Sequence, residues 1–83
     1  MNTPIFPDAS IKVEARMIAG QLQPQTIVWQ QQTYTVMAIG RQWSAEDGAH
    51  LLLELHDQSR MEIRLGNNLT WRLLRHWPAT TSV

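Results

Sequence analysis

RMEIRLGNNLTWRLLRHW, residues 60–77, decides how this chain is built. Met61, Ile63 and Leu65 alternate with Glu62 and Arg64, the period of a strand with one buried face. Gly66-Asn67-Asn68 follows, and glycine and asparagine both tolerate the positive φ of a tight turn. Folding 60–65 back onto 69–74 pairs Ile63 with Trp71 and Met61 with Leu73. It also sets Glu62 opposite Arg72 on the other face. An opposite-charge cross-strand pair contributes roughly 0.2–1 kcal/mol. Packing and charge therefore agree on one register, and such agreement between levels marks a specified structure.

The same period runs upstream. In AHLLLELHDQS, residues 49–59, Leu51, Leu53 and Leu55 face one way. Placing them beside Met61, Ile63 and Leu65 requires an odd loop, and Asp57-Gln58-Ser59 supplies three residues. A one-residue slip would turn every one of these side chains over. A helix over residues 45–56 is the rival reading, since alanine and leucine favour it locally. The shared period of two argues against it. TIVWQQQTYTVMAIGRQW, residues 26–43, reads as a hairpin turning near Gln30–Gln32, with Ile27 and Trp29 on one face. Tyr34, Val36 and Ala38 then alternate with Thr33, Thr35 and Met37, and Gly40 marks a bulge or bend. IKVEARMI, residues 11–18, alternates Ile11, Val13, Ala15 and Met17 with Lys12, Glu14 and Arg16. Gly20 and Pro24 punctuate a loop, and SAEDGA, residues 44–49, is another.

Residues 1–10 read as a flexible arm and residues 78–83 as a flexible tail. Between them lies one mainly β domain, residues 11–77, of five or six antiparallel strands without a helix. Such a sheet must bury its apolar face. At this size the economical solution is to curl into a small, partly open barrel or roll, SH3-like in outline.

The chain has 83 residues, enough for one domain with a thin core. Seven basic groups balance seven acidic ones. That excludes the strongly basic footprint of a dedicated nucleic-acid binder. The balance is uneven along the chain. Residues 60–77 hold Arg60, Arg64, Arg72 and Arg75 against Glu62 alone, whereas residues 44–59 hold Glu46, Asp47, Glu54 and Asp57 without a basic partner. The absence of cysteine rules out disulfides and thiolate metal sites, and suits a reducing cytoplasm. With no secretory leader and no apolar run of membrane length, a cytoplasmic location away from membranes is expected.

Signals of catalysis are weak. His50 and His56 fall on one face of one strand about 20 Å apart, too far to share a metal ion. They and His76 read as ordinary surface histidines. Glu54 and Glu62 stand across a strand pair, but Arg72 beside Glu62 would neutralise them. Ser10, Ser44, Ser59 and Ser82 lack a nucleophile elbow, and Gly20, Gly40, Gly48 and Gly66 are too dispersed to cradle a phosphate. No catalytic residue, cofactor, metal or small-molecule substrate is expected.

Tryptophan is the anomaly, with four in the chain. Trp29 and Trp71 are in phase with core faces. Trp43 and Trp77 lid the barrel ends or touch a partner. Trp43, Arg64, Trp71, Arg72, Arg75 and Trp77 form the candidate contact set, since single-strand binders combine arginines with stacking aromatics. In an unbroken strand, Trp71, Leu73, Arg75 and Trp77 share one face and Arg72, Leu74 and His76 the other, so the two residue types are not cleanly sorted.

Ile27-Val28-Trp29, Tyr34-x-Val36, Trp43, the Glu62-Ile63-x-Leu65 strand and Trp71-Arg72-Leu73 together resemble a family of short uncharacterised bacterial β-rich proteins over roughly residues 11–77. That family carries no established activity. The occurrence of some members beside or fused to DNA-repair polymerases implies a nucleic-acid or repair-complex role. The acidic stretch 44–50 departs from the more basic middle of that family. The expected function is a non-catalytic binding or adaptor module for a protein partner or a second copy of itself. The alternative is single-stranded nucleic-acid binding through residues 60–77.

Overall fold

The period-two pattern becomes seven strands in a computed structural model that describes residues 3–79. They are β1 (Ala9–Ser10), β2 (Lys12–Ile18), β3 (Gln21–Trp29), β4 (Gln32–Ala45), β5 (Gly48–Leu55), β6 (Arg60–Gly66) and β7 (Trp71–Trp77). All neighbours are antiparallel, in the order β1-β7-β6-β5-β4-β3-β2. The count exceeds the expected five or six because the amino-terminal segment contributes a strand of its own.

That segment also curls the sheet. Residues 9–18 pair through β1 with β7 and through β2 with β3, so one run of chain serves both edges. Ile11 lies between the two strands and donates its N–H to the Trp71 carbonyl at 3.3 Å. Farther out, Ile5 and His76 exchange backbone hydrogen bonds of 2.8 and 2.9 Å. The expected flexible arm is therefore laid along β7 from Ile5 onward. Of the expected tail, Pro78 and Ala79 follow β7 outside any strand, and residues 80–83 lie outside the described residues.

The core holds Ile27, Trp29, Tyr34, Leu51, Leu53, Leu55, Met61, Ile63 and Leu73. Leu53 opposes Met61 and Leu51 opposes Ile63, the common face expected from an odd loop. The three loop residues are His56–Gln58, because Leu55 and Ser59 already bond across the turn. The last hairpin differs from expectation. Ile63 opposes Leu73 and Leu65 opposes Trp71, two residues further along β7. The Gly66 N–H bonds the Thr70 carbonyl, leaving Asn67, Asn68 and Leu69 as the loop, with Leu69 in the left-handed region at φ 64°. A three-residue hairpin of this kind requires one such residue. The expected turn, Gly66-Asn67-Asn68, has the same length but lies one residue earlier, and that shift moves the register by two residues.

Bulges bend the strands, as curling requires. One leaves Gln25 unpaired beside Pro24, where proline's missing donor is tolerated. The loop expected around Gly20 and Pro24 thus shrinks to Ala19 and Gly20, and strand pairing resumes at Gln21. Irregularities in β4 fall at Met37 and at Gly40–Arg41. The first turns Ala38 outward and brings Ile39 against the core in its place. A further bulge in β7 leaves Leu74 without a partner. Past Thr26 and Thr35, β3 and β4 separate, so the barrel is open on that side.

Gly48 lies where β5 meets β6, at φ 134°. A Cβ there would sit 2.1 Å from the Leu65 carbonyl oxygen, whereas one on Gly20, at φ 78°, would meet nothing. Gly48→Ala is expected to lower stability by about 3 kcal/mol or more, and Gly20→Ala by about 1–2 kcal/mol. Urea denaturation of the two variants checks this; equal losses would contradict the packing at Gly48.

Candidate functional site

Directly paired residues of an antiparallel sheet project to the same side. The registers of β4–β7 therefore define three rows on the outer face. One row runs Trp43, His50, Arg64, Arg72. The next runs Leu52, Glu62, Arg75, and the third Ala38, Glu54, Arg60, Trp77. Arg41 joins them, its guanidinium carbon 5.1 Å from the Trp43 ring centre. Every arginine except Arg16 is on this face.

Five of the six sequence-derived candidates thus converge. The bulge at Leu74 is the reason. It resets the alternation, so Arg75 and Trp77 point outward and His76 turns into the core. The face sorting expected for an unbroken strand holds only up to Leu73. Trp71 is the exception, since it packs against the core from the inner side. The structure separates it from the other five.

A buried carboxylate organises the face. Glu62 is 5% exposed and accepts hydrogen bonds from His50 Nδ1, at 3.0 Å, and from Arg75. Its arginine partner is Arg75 rather than the expected Arg72. His50 Nε2 donates to Asp47 Oδ1 at 2.8 Å, and Asp47 also accepts from Arg64 Nη1 at 3.0 Å. The Trp43 indole stacks on the His50 ring, 5.1 Å between centres. Arg72 donates to Asp8 of the docked arm at 3.0 Å. Trp77 lies against two guanidiniums, Arg60 at 5.7 Å and Arg75 at 5.0 Å.

His50 is buried and not the surface residue expected. Burial alone would lower its pKa, but the Asp47 and Glu62 carboxylates outweigh it and raise the pKa above the ordinary 6.5. With both ring nitrogens donating to carboxylates, neither is open to a substrate. His50 acts as a clamp between the β4–β5 turn and β6. The Arg64 and His50 bonds hold Asp47 below the ordinary carboxylate range.

His76 is the opposite case. It is 7% exposed, edge-on to Trp29 at 5.3 Å and to Tyr34 at 6.0 Å. Among the described residues neither ring nitrogen has a hydrogen-bond partner. Burial pushes its pKa below 6.5, and only the distant charge of Asp57 opposes this. His56 instead accepts the Thr35 N–H at 3.0 Å and ties the β5–β6 turn to β4.

Sequence reasoning missed His50, Arg41 and Arg60. A signal for His50 existed: a histidine and a glutamate sharing a face on adjoining strands. Among the described residues no group of three or more histidine, aspartate or glutamate side chains is arranged to hold a metal ion. No protein-family model, curated protein or solved structure matches the chain.

The two histidines give stability opposite pH dependences. The raised pKa of His50 stabilises the fold fully below pH 6.5, and this is lost as pH rises through the folded value. The lowered pKa of His76 leaves stability complete above pH 6.5, and it is lost as pH falls through the folded value. Urea midpoints measured across this range should show His76→Phe flattening the acid limb and His50→Gln the alkaline limb. Unchanged limbs would contradict the assignments.

Removing a partner from a buried ion pair costs about 3–5 kcal/mol, and an exposed pair is worth at most about 1 kcal/mol. Glu62→Ala should therefore destabilise by about 3 kcal/mol and Asp8→Ala by less than about 1 kcal/mol, read by chemical denaturation. Similar losses would refute the central role of Glu62.

Proposed function

We propose that the chain is a non-catalytic protein-interaction module that self-associates through its β2–β3 hairpin. The carrying observation is the exposure of large apolar side chains there. Met17 is 67% exposed, with Ile18, Leu22 and Val28 also open, and Met37 of β4 is 68% exposed. Single exposed apolar residues need no explanation, but a group on one projecting element does. From Gln21 to Pro24, β3 pairs only with β2, so the tip of the hairpin stands away from the barrel. Strand addition along the free edge of β4 is disfavoured. β4 is bulged at Met37 and Gly40–Arg41, and bulges protect an edge from strand addition. A formal net charge of +0 leaves no long-range repulsion between copies.

A second reading has its own support. The outer face of β4–β7 gathers Trp43, Arg64, Arg72, Arg75 and Trp77, which suits a single-stranded nucleic acid. The resemblance to proteins found beside repair polymerases points the same way. Against it, Arg64, Arg72 and Arg75 are paired with Asp47, Asp8 and Glu62.

Sedimentation of the full chain over a range of concentrations tests the first reading. Self-association is expected, and a variant carrying Met17→Ser, Ile18→Ser and Met37→Ser should remain monomeric at unchanged thermal stability. A native chain that stays monomeric throughout would reject it.

A further inference from the structure

The outer face holds one set of charges that the pairing leaves over. Arg64, Arg72 and Arg75 each have a carboxylate partner. Among the described residues, Arg41, Arg60 and Glu54 make no ion pair, although Glu54 and Arg60 are direct cross-strand neighbours. These three side chains line one groove, together with Gly40, Leu52 and Trp77. The groove has a volume of about 340 Å³. It exists because Gly40 and Arg41 form the irregularity in β4 opposite Leu52. A pocket of a few hundred Å³ with an apolar floor and a few convergent polar groups is the ordinary form of a ligand site.

We propose that this groove binds a guanine nucleotide unit of a single-stranded nucleic acid. The proposal rests on the second reading of the outer face and deepens it. Two guanidiniums and one carboxylate carry a net charge of +1, which complements one phosphodiester. Arg41 and Arg60 take the phosphate, for which the planar guanidinium fork is suited. The base stacks on the Trp77–Arg60 layer, since both an indole and a guanidinium present a flat surface to a base. Glu54 accepts hydrogen bonds from the base edge. Guanine offers two adjacent donors there, N1–H and the N2 amino group, which match the two oxygens of a carboxylate. Adenine presents the N1 lone pair in the same place and is repelled. The exposed, unpaired Glu54, which repels phosphate in general, thereby becomes the specificity element.

The test is a titration of the tryptophan fluorescence of the full chain with GMP and with AMP at low salt. It is repeated with a thymine-only oligonucleotide and with one of the same length containing guanines. GMP is expected to quench, with AMP roughly tenfold weaker or more, the worth of one bidentate contact. Glu54→Gln should abolish the difference, because an amide cannot accept both donors, and Arg60→Ala should weaken both ligands. Both residues are exposed, and thermal melts establish that the variants fold. Equal affinity for GMP and AMP, or a guanine preference that survives Glu54→Gln, overturns the proposal. In that event salt-sensitive binding of the thymine-only oligonucleotide would still uphold the single-strand reading of the face. A guanine preference for mononucleotides with no oligonucleotide bound would uphold the groove and reject that reading. Saturation by a peptide of mixed charge, without response to GMP, also overturns the proposal.

Discussion

One unpaired residue, Leu74, governs what is inside this barrel and what is outside it. A strand alternates strictly, so β7 without its bulge would aim Arg75 and Trp77 at the core and His76 at solvent. With the bulge, Leu73 and His76 both face inward, and Arg75 reaches Glu62. The outer rows, the ion pairs and the groove beside Trp77 all depend on this reset. The cost is a histidine among Trp29 and Tyr34 with neither nitrogen partnered among the described residues. Desolvating a neutral imidazole is unfavourable but far less so than desolvating the guanidinium that would otherwise occupy the place.

Glu62 is the electrostatic counterpart of that bulge. It sits between the His50 ring of β5 and the Arg75 guanidinium of β7, so three adjacent strands are tied together by polar contacts as well as by packing. A buried carboxylate is tolerated only when its oxygens are hydrogen-bonded, and here His50 and Arg75 supply those bonds. The Trp43 ring above His50 shields one side of the arrangement from water.

Much of the fold was legible in the sequence. Leu51–Leu55 and Met61–Leu65 fixed a shared face through parity alone, and Trp29 fell in phase with its strand. The departures have one physical origin. Bulges at Gln25, Met37, Gly40–Arg41 and Leu74 answer the curvature of the curled sheet, and a local hydrophobic pattern does not record curvature. Only Gly40 left a trace. The candidate site was legible as a set of residues, but its sorting was not, because the register change at Leu74 exchanges faces partway along β7. The pairing of the amino-terminal arm left no local trace for a related reason: its partners, Arg72 and His76, lie at the far end of the chain.

The shared edge strand also shapes how the molecule can be assembled in time. Hairpins β2–β3, β3–β4, β4–β5, β5–β6 and β6–β7 join neighbours in sequence, so each forms by closing a short loop. The pairing of residues 5–10 with 71–76 instead closes a loop of nearly the whole chain. Such a contact carries the largest chain-entropy cost and forms late. During synthesis the earlier hairpins would emerge with Ile11 and Val13 still uncovered, and the sheet would stay a sheet until β7 was made. Barrel closure is thus a final event, in which the first strand made waits for the last.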